Sequence, residues 1–224
     1  MREWPDQANG FALPIAKEVC RYATPTCWQG CYAKRGRMAF SMPQRAFAGN
    51  YRALLKARTA EAMAVLLVDA LAWIRFRIFR IHVGGDFFSL EYAEAWRLAC
   101  REYGVRRFWS YTRSRDERVL GCLAETPNLR ILLSCDRDNW RQMLELSERF
   151  PGFGLSYYTV GETPADRLYE RGAVVPAGHC VGLVVFPDSA VRKHLELPGT
   201  CPTERAREPW PKDCACVKCG RCCG

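Results

Sequence analysis

Thirteen cysteines in 224 residues constrain this chain more than any other feature, because they gather at its two ends. Cys20, Cys27 and Cys31 stand near the start. Cys201, Cys214, Cys216, Cys219, Cys222 and Cys223 crowd the finish, and Cys100, Cys122, Cys135 and Cys180 are scattered between. A disulfide framework belongs to an oxidising compartment and usually to a small domain with little core. This chain is 49% hydrophobic, enough to bury a core of its own, and Met1-Arg2-Glu3-Trp4-Pro5 does not read as a secretory leader. The expected location is therefore cytoplasmic, where thiols stay reduced and clustered cysteines point to metal. No membrane is expected either: the best apolar run, Ala62 to Trp73, is short and contains Asp69.

Spacing narrows the chemistry. Cys20-(x6)-Cys27-(x3)-Cys31 puts three thiols within twelve residues, with Pro25 and Gly30 available for turns. A [4Fe–4S] cube held by three cysteines leaves one iron open to a substrate, a cofactor or a remote ligand. A closed structural zinc site asks for four protein ligands. At the other end, Cys216-Val-Lys-Cys219-Gly-Arg-Cys222 is a ferredoxin-like C-x2-C-x2-C run, with Cys201 or Cys214 as the fourth ligand. We expect Cys20, Cys27, Cys31, Cys201, Cys216, Cys219 and Cys222 to ligate one or two [4Fe–4S] clusters. A zinc knuckle at the C-terminus, zinc or no metal at the N-terminus, and one cluster shared by both ends are the alternatives. Cys223 reads as a spare thiol, and the scattered cysteines as small core residues.

Between the clusters, apolar β-rich stretches alternate with helical spacing. Strands are expected over residues 77–83, 107–112, 129–134, 154–159 and 180–186. Helices are expected over 42–73 (as two), 90–103, 116–124, 139–150 and 164–171, with a helical turn at 189–195. This alternation predicts an α/β fold with mainly parallel strands and about five βα units, a partial TIM-type (β/α) barrel. Residues 1–197 form the expected α/β domain. Residues 198–224, poor in aliphatic side chains, form a Cys-rich segment that folds on ligation.

Ligands of parallel α/β sheets sit at the carboxyl ends of the strands. His82, Gly84, Gly85, Asp86, Tyr111, Thr112, Arg113, Ser134, Asp136, Tyr157 and Thr159 fall there. The plainer alternatives are a satisfied core histidine for His82, an ordinary turn with Asp86 as N-cap for Gly84-Gly85-Asp86, and a helix cap for Asp136. Arg113 with Arg115 forms a pair suited to a carboxylate or phosphate; a solvated loop is its alternative. The formal net charge is +9, rich in arginine. Nucleic acid or another anionic substrate is thus a candidate partner. The charge reads as spread along the chain, with no basic tail or lysine block, so solvated surface charge is the plainer account. No nucleophile elbow, P-loop, His-Glu-x-x-His or dinucleotide fingerprint is present, and only His82, His179 and His194 are histidines.

Several stretches together resemble the phage "gene product 88" family. They are Leu13 to Arg37 with its three cysteines, Arg80-Ile-His-Val-Gly-Gly-Asp-Phe-Phe-Ser89, Tyr111-Thr-Arg-Ser114, Ser134-Cys-Asp136 and the Cys-rich ending. The resemblance implies a radical-SAM-like partial barrel with an iron–sulphur cluster, encoded by a phage or prophage and working in the host cytosol. Radical-SAM enzymes carry C-x3-C-x2-C on the loop after the first strand and a Gly-Gly-Glu-type motif ending the second. Here the spacing is x6 and x3, and Asp86 stands for Glu. By this resemblance Gly84, Gly85 and Asp86 would bind S-adenosylmethionine, with His82, Asp86 and Arg113 as candidate catalytic residues and an electron donor as partner. The alternative is a non-catalytic iron–sulphur or zinc protein that binds nucleic acid or a host protein.

Overall fold

A fully parallel sheet organises the chain. The computed structural model describes residues 7–159 and 180–184, and side chains from residue 10 to 156. Six strands run in the order β1-β2-β3-β4-β5-β6: Gln7–Asn9, Ile78–Arg80, Arg107–Thr112, Leu129–Cys135, Gly154–Thr159 and Cys180–Val184. Every neighbouring pair is parallel. Parallel neighbours cannot be joined by hairpins, and each of the four links among the described residues carries a crossover. The first crossover is long and contains α1 (Pro25–Gly30), two 3-10 turns, α2 (Ser41–Ala57) and α3 (Ala60–Ala72). The next three hold α4 (Leu90–Glu102), α5 (Glu117–Ala124) and α6 (Trp140–Arg149).

Most elements lie within a few residues of their expected positions, and three differences matter. β1 precedes every expected strand; at three residues it is too short to show a period. Its presence moves the three cysteines from a loop ahead of the βα units to the loop after the first strand. The expected first strand, 77–83, has regular strand structure over Ile78–Arg80 alone. The helical stretch 42–73 divides at Arg58, which adopts φ +64°, and Thr59 then caps α3 by accepting from Ala62 N at 3.3 Å. The expected elements 164–171 and 189–195 lie outside the described residues. So does the Cys-rich segment 198–224 with Cys201, Cys216, Cys219 and Cys222.

Strand alternation sorts the two faces of the sheet. Phe79, Ile81, Phe108, Ile131, Leu133 and Leu155 join the main core beneath the helices. Ile78, Trp109 and Leu132 form a second buried cluster with Tyr111 against it. The helices contribute Leu67 and Leu71 of α3, Tyr92, Trp96 and Cys100 of α4, and Val119, Leu120 and Leu123 of α5, at the spacing of an inward stripe. Cys100 and Cys135 are buried in this core and Cys122 packs against it, so these three are volume-filling.

Two glycines show opposite constraints. Gly85 has φ +88°, and a Cβ there would lie 2.6 Å from Leu13 Cβ. Gly49, in the middle of α2, has open space where a Cβ would go. Gly85→Ala should therefore lose roughly 2 kcal/mol or more of stability through strain and overlap. Gly49→Ala should gain about 0.5–1 kcal/mol from helix propensity. Urea unfolding of both variants checks the pair; a stabilised Gly85→Ala would contradict the close approach of Leu13.

Candidate functional site

The cysteine loop is bolted to the carboxyl ends of the strands at three points. Beyond β1 the chain keeps following β2: Val83 N donates to Phe11 O at 3.1 Å and Leu13 N to Gly84 O at 2.9 Å. The chain then turns, with Cys20 N donating to Ala16 O at 2.8 Å. Thr24 starts α1: its hydroxyl accepts from Cys27 N at 3.0 Å, and Pro25 occupies the first turn. The same hydroxyl donates to Asp136 Oδ2, at the end of β4, at 2.5 Å. Next to it Thr26 N donates to Asp138 Oδ2 at 3.0 Å and Arg137 Nε donates to Thr26 Oγ1 at 3.1 Å. Finally Tyr32 OH donates to Val83 O at 2.5 Å and accepts from Arg80 at 2.6 Å.

These anchors close a cavity of about 110 Å³ that gathers most of the expected site. Cys20, Cys27 and Cys31 line it together with His82, Gly84, Gly85, Asp86, Tyr111, Thr112, Arg113 and Ser134. Ile15, Ala23, Ala33 and Val83 make its apolar wall. Asp136 sits behind the lining rather than in it. Tyr157 and Thr159 have side chains outside the described ones. Among the described residues, no three His, Cys, Asp or Glu side chains converge closely enough to hold a single metal ion.

Charge in the site is buried and arranged in pairs. Asp86 accepts from Thr112 Oγ1 at 2.7 Å, Phe87 N at 2.8 Å and Arg113 N at 2.9 Å. Burial raises its carboxyl above the usual range, opposed by those bonds and by Arg113. Ser89, not Asp86, caps α4, accepting from Tyr92 N at 3.2 Å. Asp86 instead joins the Gly-Gly turn to the end of β3. Arg113 Nη1 meets Asp136 Oδ2 at 2.7 Å, with Asp136 fully buried. Asp136 caps no helix, since Asn139 occupies that position for α6. Arg115 does not join Arg113: it is exposed, donates to Gln142 at 2.8 Å and lies over the Tyr22 ring. The arginine pair expected from the sequence is thus split between core and surface.

The thiols and His82 feel the same burial. The Cys20 thiol is pushed well up by burial, then by Asp86 and the other two cysteines. Cys27 is also raised by burial, while the Arg113 guanidinium pulls the other way. His82 is engaged at both ring nitrogens, by Tyr92 OH at 2.9 Å and Ser110 Oγ at 3.2 Å. Burial first, and Arg80 second, lower it to about 3, so it is neutral at physiological pH. In geometry it is the satisfied histidine of the plainer alternative, and it also forms part of the cavity wall.

The sequence reading missed Thr24, Tyr32 and Arg80. Thr24-Pro25 was a legible signal, since a threonine before proline marks a helix start. Tyr32 and Arg80 fell within the stretches that carry the family resemblance, but nothing local showed their bonds, which join residues 48 to 51 positions apart.

A family model described as Gene product 88 matches residues 3–223. The chain belongs to that family. The Gene 88 protein of Mycobacterium phage D29 is 26% identical over 226 residues, spanning 96% of this chain and 82% of the relative. The Gene 88 protein of Mycobacterium phage L5 is 29% identical over 140 residues, 59% of each chain. No solved structure matches. Among the described residues no helix is long and apolar enough to cross a membrane.

The lowered His82 sets a pH dependence for this family member. Between the ordinary value of about 6.5 and the folded value of about 3, unfolded His82 binds a proton that the native state does not. Its contribution to stability is present above pH 6.5 and is lost as the pH falls, with a slope approaching about 1.4 kcal/mol per pH unit. Denaturant unfolding at pH 7, 6 and 5 should therefore show the wild type losing about 1–2 kcal/mol more than His82→Gln. Parallel curves would show that His82 titrates normally in the fold.

Proposed function

We propose that this protein is a radical-SAM-like iron–sulphur redox enzyme built on a partial TIM-type barrel. One observation carries the reading. Three cysteines on the loop after the first strand, and Gly84-Gly85-Asp86 just beyond the second, line a single cavity. A tetrahedral zinc site would need its thiolates converged on one ion at about 2.3 Å. A cubane takes each thiolate on a different iron, which suits separate thiols around one cavity. Cys20, Cys27 and Cys31 would hold such a [4Fe–4S] cluster, and Cys201, Cys216, Cys219 and Cys222 an auxiliary one. When bound, the open-iron cluster would supply the electron for reductive cleavage of S-adenosylmethionine, replenished by an external donor.

The chain's own residues have definite parts in this reading. Arg113 offsets the negative charge of a thiolate at Cys27 and is itself held by Asp136. Ile15, Ala23, Ala33 and Val83 give the cavity an apolar wall. A carboxylate has about four acceptor sites. Asp86 uses three of them within the chain, so it fixes the turn and keeps one for an ammonium group. His82 positions the wall and moves no proton, because both its nitrogens are engaged.

Anaerobically purified protein should be brown and contain about four or eight irons with matching sulphide per chain. Cys20→Ala should lose the iron of the N-terminal site, whereas Cys100→Ala, a core change, should keep it. S-adenosylmethionine should perturb the electron paramagnetic resonance spectrum of the reduced protein, and dithionite should then release 5′-deoxyadenosine. Stoichiometric zinc without sulphide would end the iron–sulphur reading. A full cluster with an unchanged spectrum and no cleavage would end its S-adenosylmethionine half and leave the non-catalytic alternative.

A further inference from the structure

The positive charge of this protein is local. Of its 33 lysines and arginines, eight lie between Val19 and Ala60, a stretch without a single Asp or Glu. The other 182 residues hold 25 basic residues against 24 acidic ones and are nearly neutral. The stretch forms the cysteine loop, the two 3-10 turns and α2. Its fold exposes the charge: Lys34 and Arg37 on the turns, then Arg45, Arg52 and Lys56 on α2, are all exposed. Arg45, Arg52 and Lys56 are spaced seven and four apart, which places them on one face of the helix. Among the described residues none of these three has an acidic partner.

Two further features of α2 fit a bound partner. It buries only Leu54 fully, and eight of its seventeen residues are exposed. Gly49 falls on the same face, between Arg45 and Arg52. Among the described residues nothing requires a glycine there, since a Cβ would meet no atom within 4 Å. A mid-helix glycine weakens the helix but leaves its backbone open to close approach, which suits a bound partner. Met42, one turn before Arg45 and 79% exposed, and Phe40, 64% exposed, extend the face with apolar surface. The turns that lead into this face reach the cavity: Ala33 lines it, and a Cβ added at Gly84 would lie 3.4 Å from the Met38 side chain.

We propose that α2 and the turns before it form a docking surface for the phosphate backbone of a nucleic acid. A rigid row of cations spanning about 17 Å of helix, with no interleaved acid, complements a regular row of phosphates. Arginine suits phosphate better than lysine does. A nucleic acid on this face lies beside the cavity, which makes it the substrate class in the reading above. The docking itself does not depend on any cluster.

The test uses full-length, anaerobically purified protein and a labelled 25-base-pair DNA duplex or its single strand. The two probes distinguish helical from single-stranded targets. Wild type should bind at least one, more weakly as salt rises. Arg45→Gln/Arg52→Gln/Lys56→Gln should bind at least tenfold more weakly at low salt and flatten the log–log salt slope by about three. Gly49→Ala should bind several-fold more weakly although its helix is stronger. Arg75→Gln/Arg101→Gln/Arg141→Gln removes as many exposed charges elsewhere and should stay within twofold of wild type. Circular dichroism and iron content, measured for every variant, separate loss of the surface from loss of the fold or cluster. No binding at low salt, or equal loss in both triple variants, would overturn the proposal. Displacement of DNA by polyglutamate at equal charge would overturn it in favour of an acidic protein partner.

Discussion

The buried pair between Arg113 and Asp136 holds together the parts that matter here. Asp136 accepts from Arg113 at 2.7 Å and from Thr24 at 2.5 Å, and Thr24 in turn accepts from Cys27 N. The ends of β3 and β4 and the start of α1 are thereby tied at one carboxylate. Removing either charge would strand the other in the interior, which typically costs 3–5 kcal/mol. An apolar replacement of the pair could hold the strands together but not orient the threonine. The polar pair is therefore better read as a device for position than as a source of stability.

Asp86 repeats the logic one strand earlier. Its carboxylate accepts from the backbone of Phe87 and Arg113 and from the Thr112 hydroxyl, locking the Gly84-Gly85 turn to β3. Arg113 belongs to both systems, through its backbone N–H to Asp86 and its guanidinium to Asp136. A disturbance at either carboxylate is thus transmitted to the cavity through one residue. Such coupling makes the effects of changes at Asp86, Arg113 and Asp136 non-additive.

Local signals made most of the fold legible. The apolar runs Arg107 to Thr112 and Gly154 to Thr159 were bounded by helical spacing on either side, and the structure keeps their limits. Gly84-Gly85-Asp86 and the three cysteines could be picked out by residue type, and the fold brings them to one cavity. What stayed hidden depends on contacts distant in sequence. β1 exists because Gln7–Asn9 finds Ile78–Arg80, not because three residues favour a strand. The capping roles weighed for Asp86 and Asp136 were sound by local rules, but Ser89 caps α4 and Asn139, without a capping side-chain bond, stands at the start of α6. Both aspartates turn to longer-range partners. The local concentration of positive charge was present in the sequence but needed the helix of α2 to become a face.

The unusual spacing of the cysteines also has a physical account. With three residues between them, Cys27 lies inside α1 and Cys31 stands at its C-cap, so this short helix spans the gap between the two thiols. A helix this short is marginal alone, so it must be pinned from outside, and the Thr24–Asp136 and Thr26–Asp138 bonds do this. The six residues between Cys20 and Cys27 provide the chain needed to leave the turn at Ala16–Cys20 and enter α1 at its cap. A tighter loop could present three thiols without help from the strands. This loop presents them only while β4 holds its helix, so the geometry of the thiols is subordinate to the sheet.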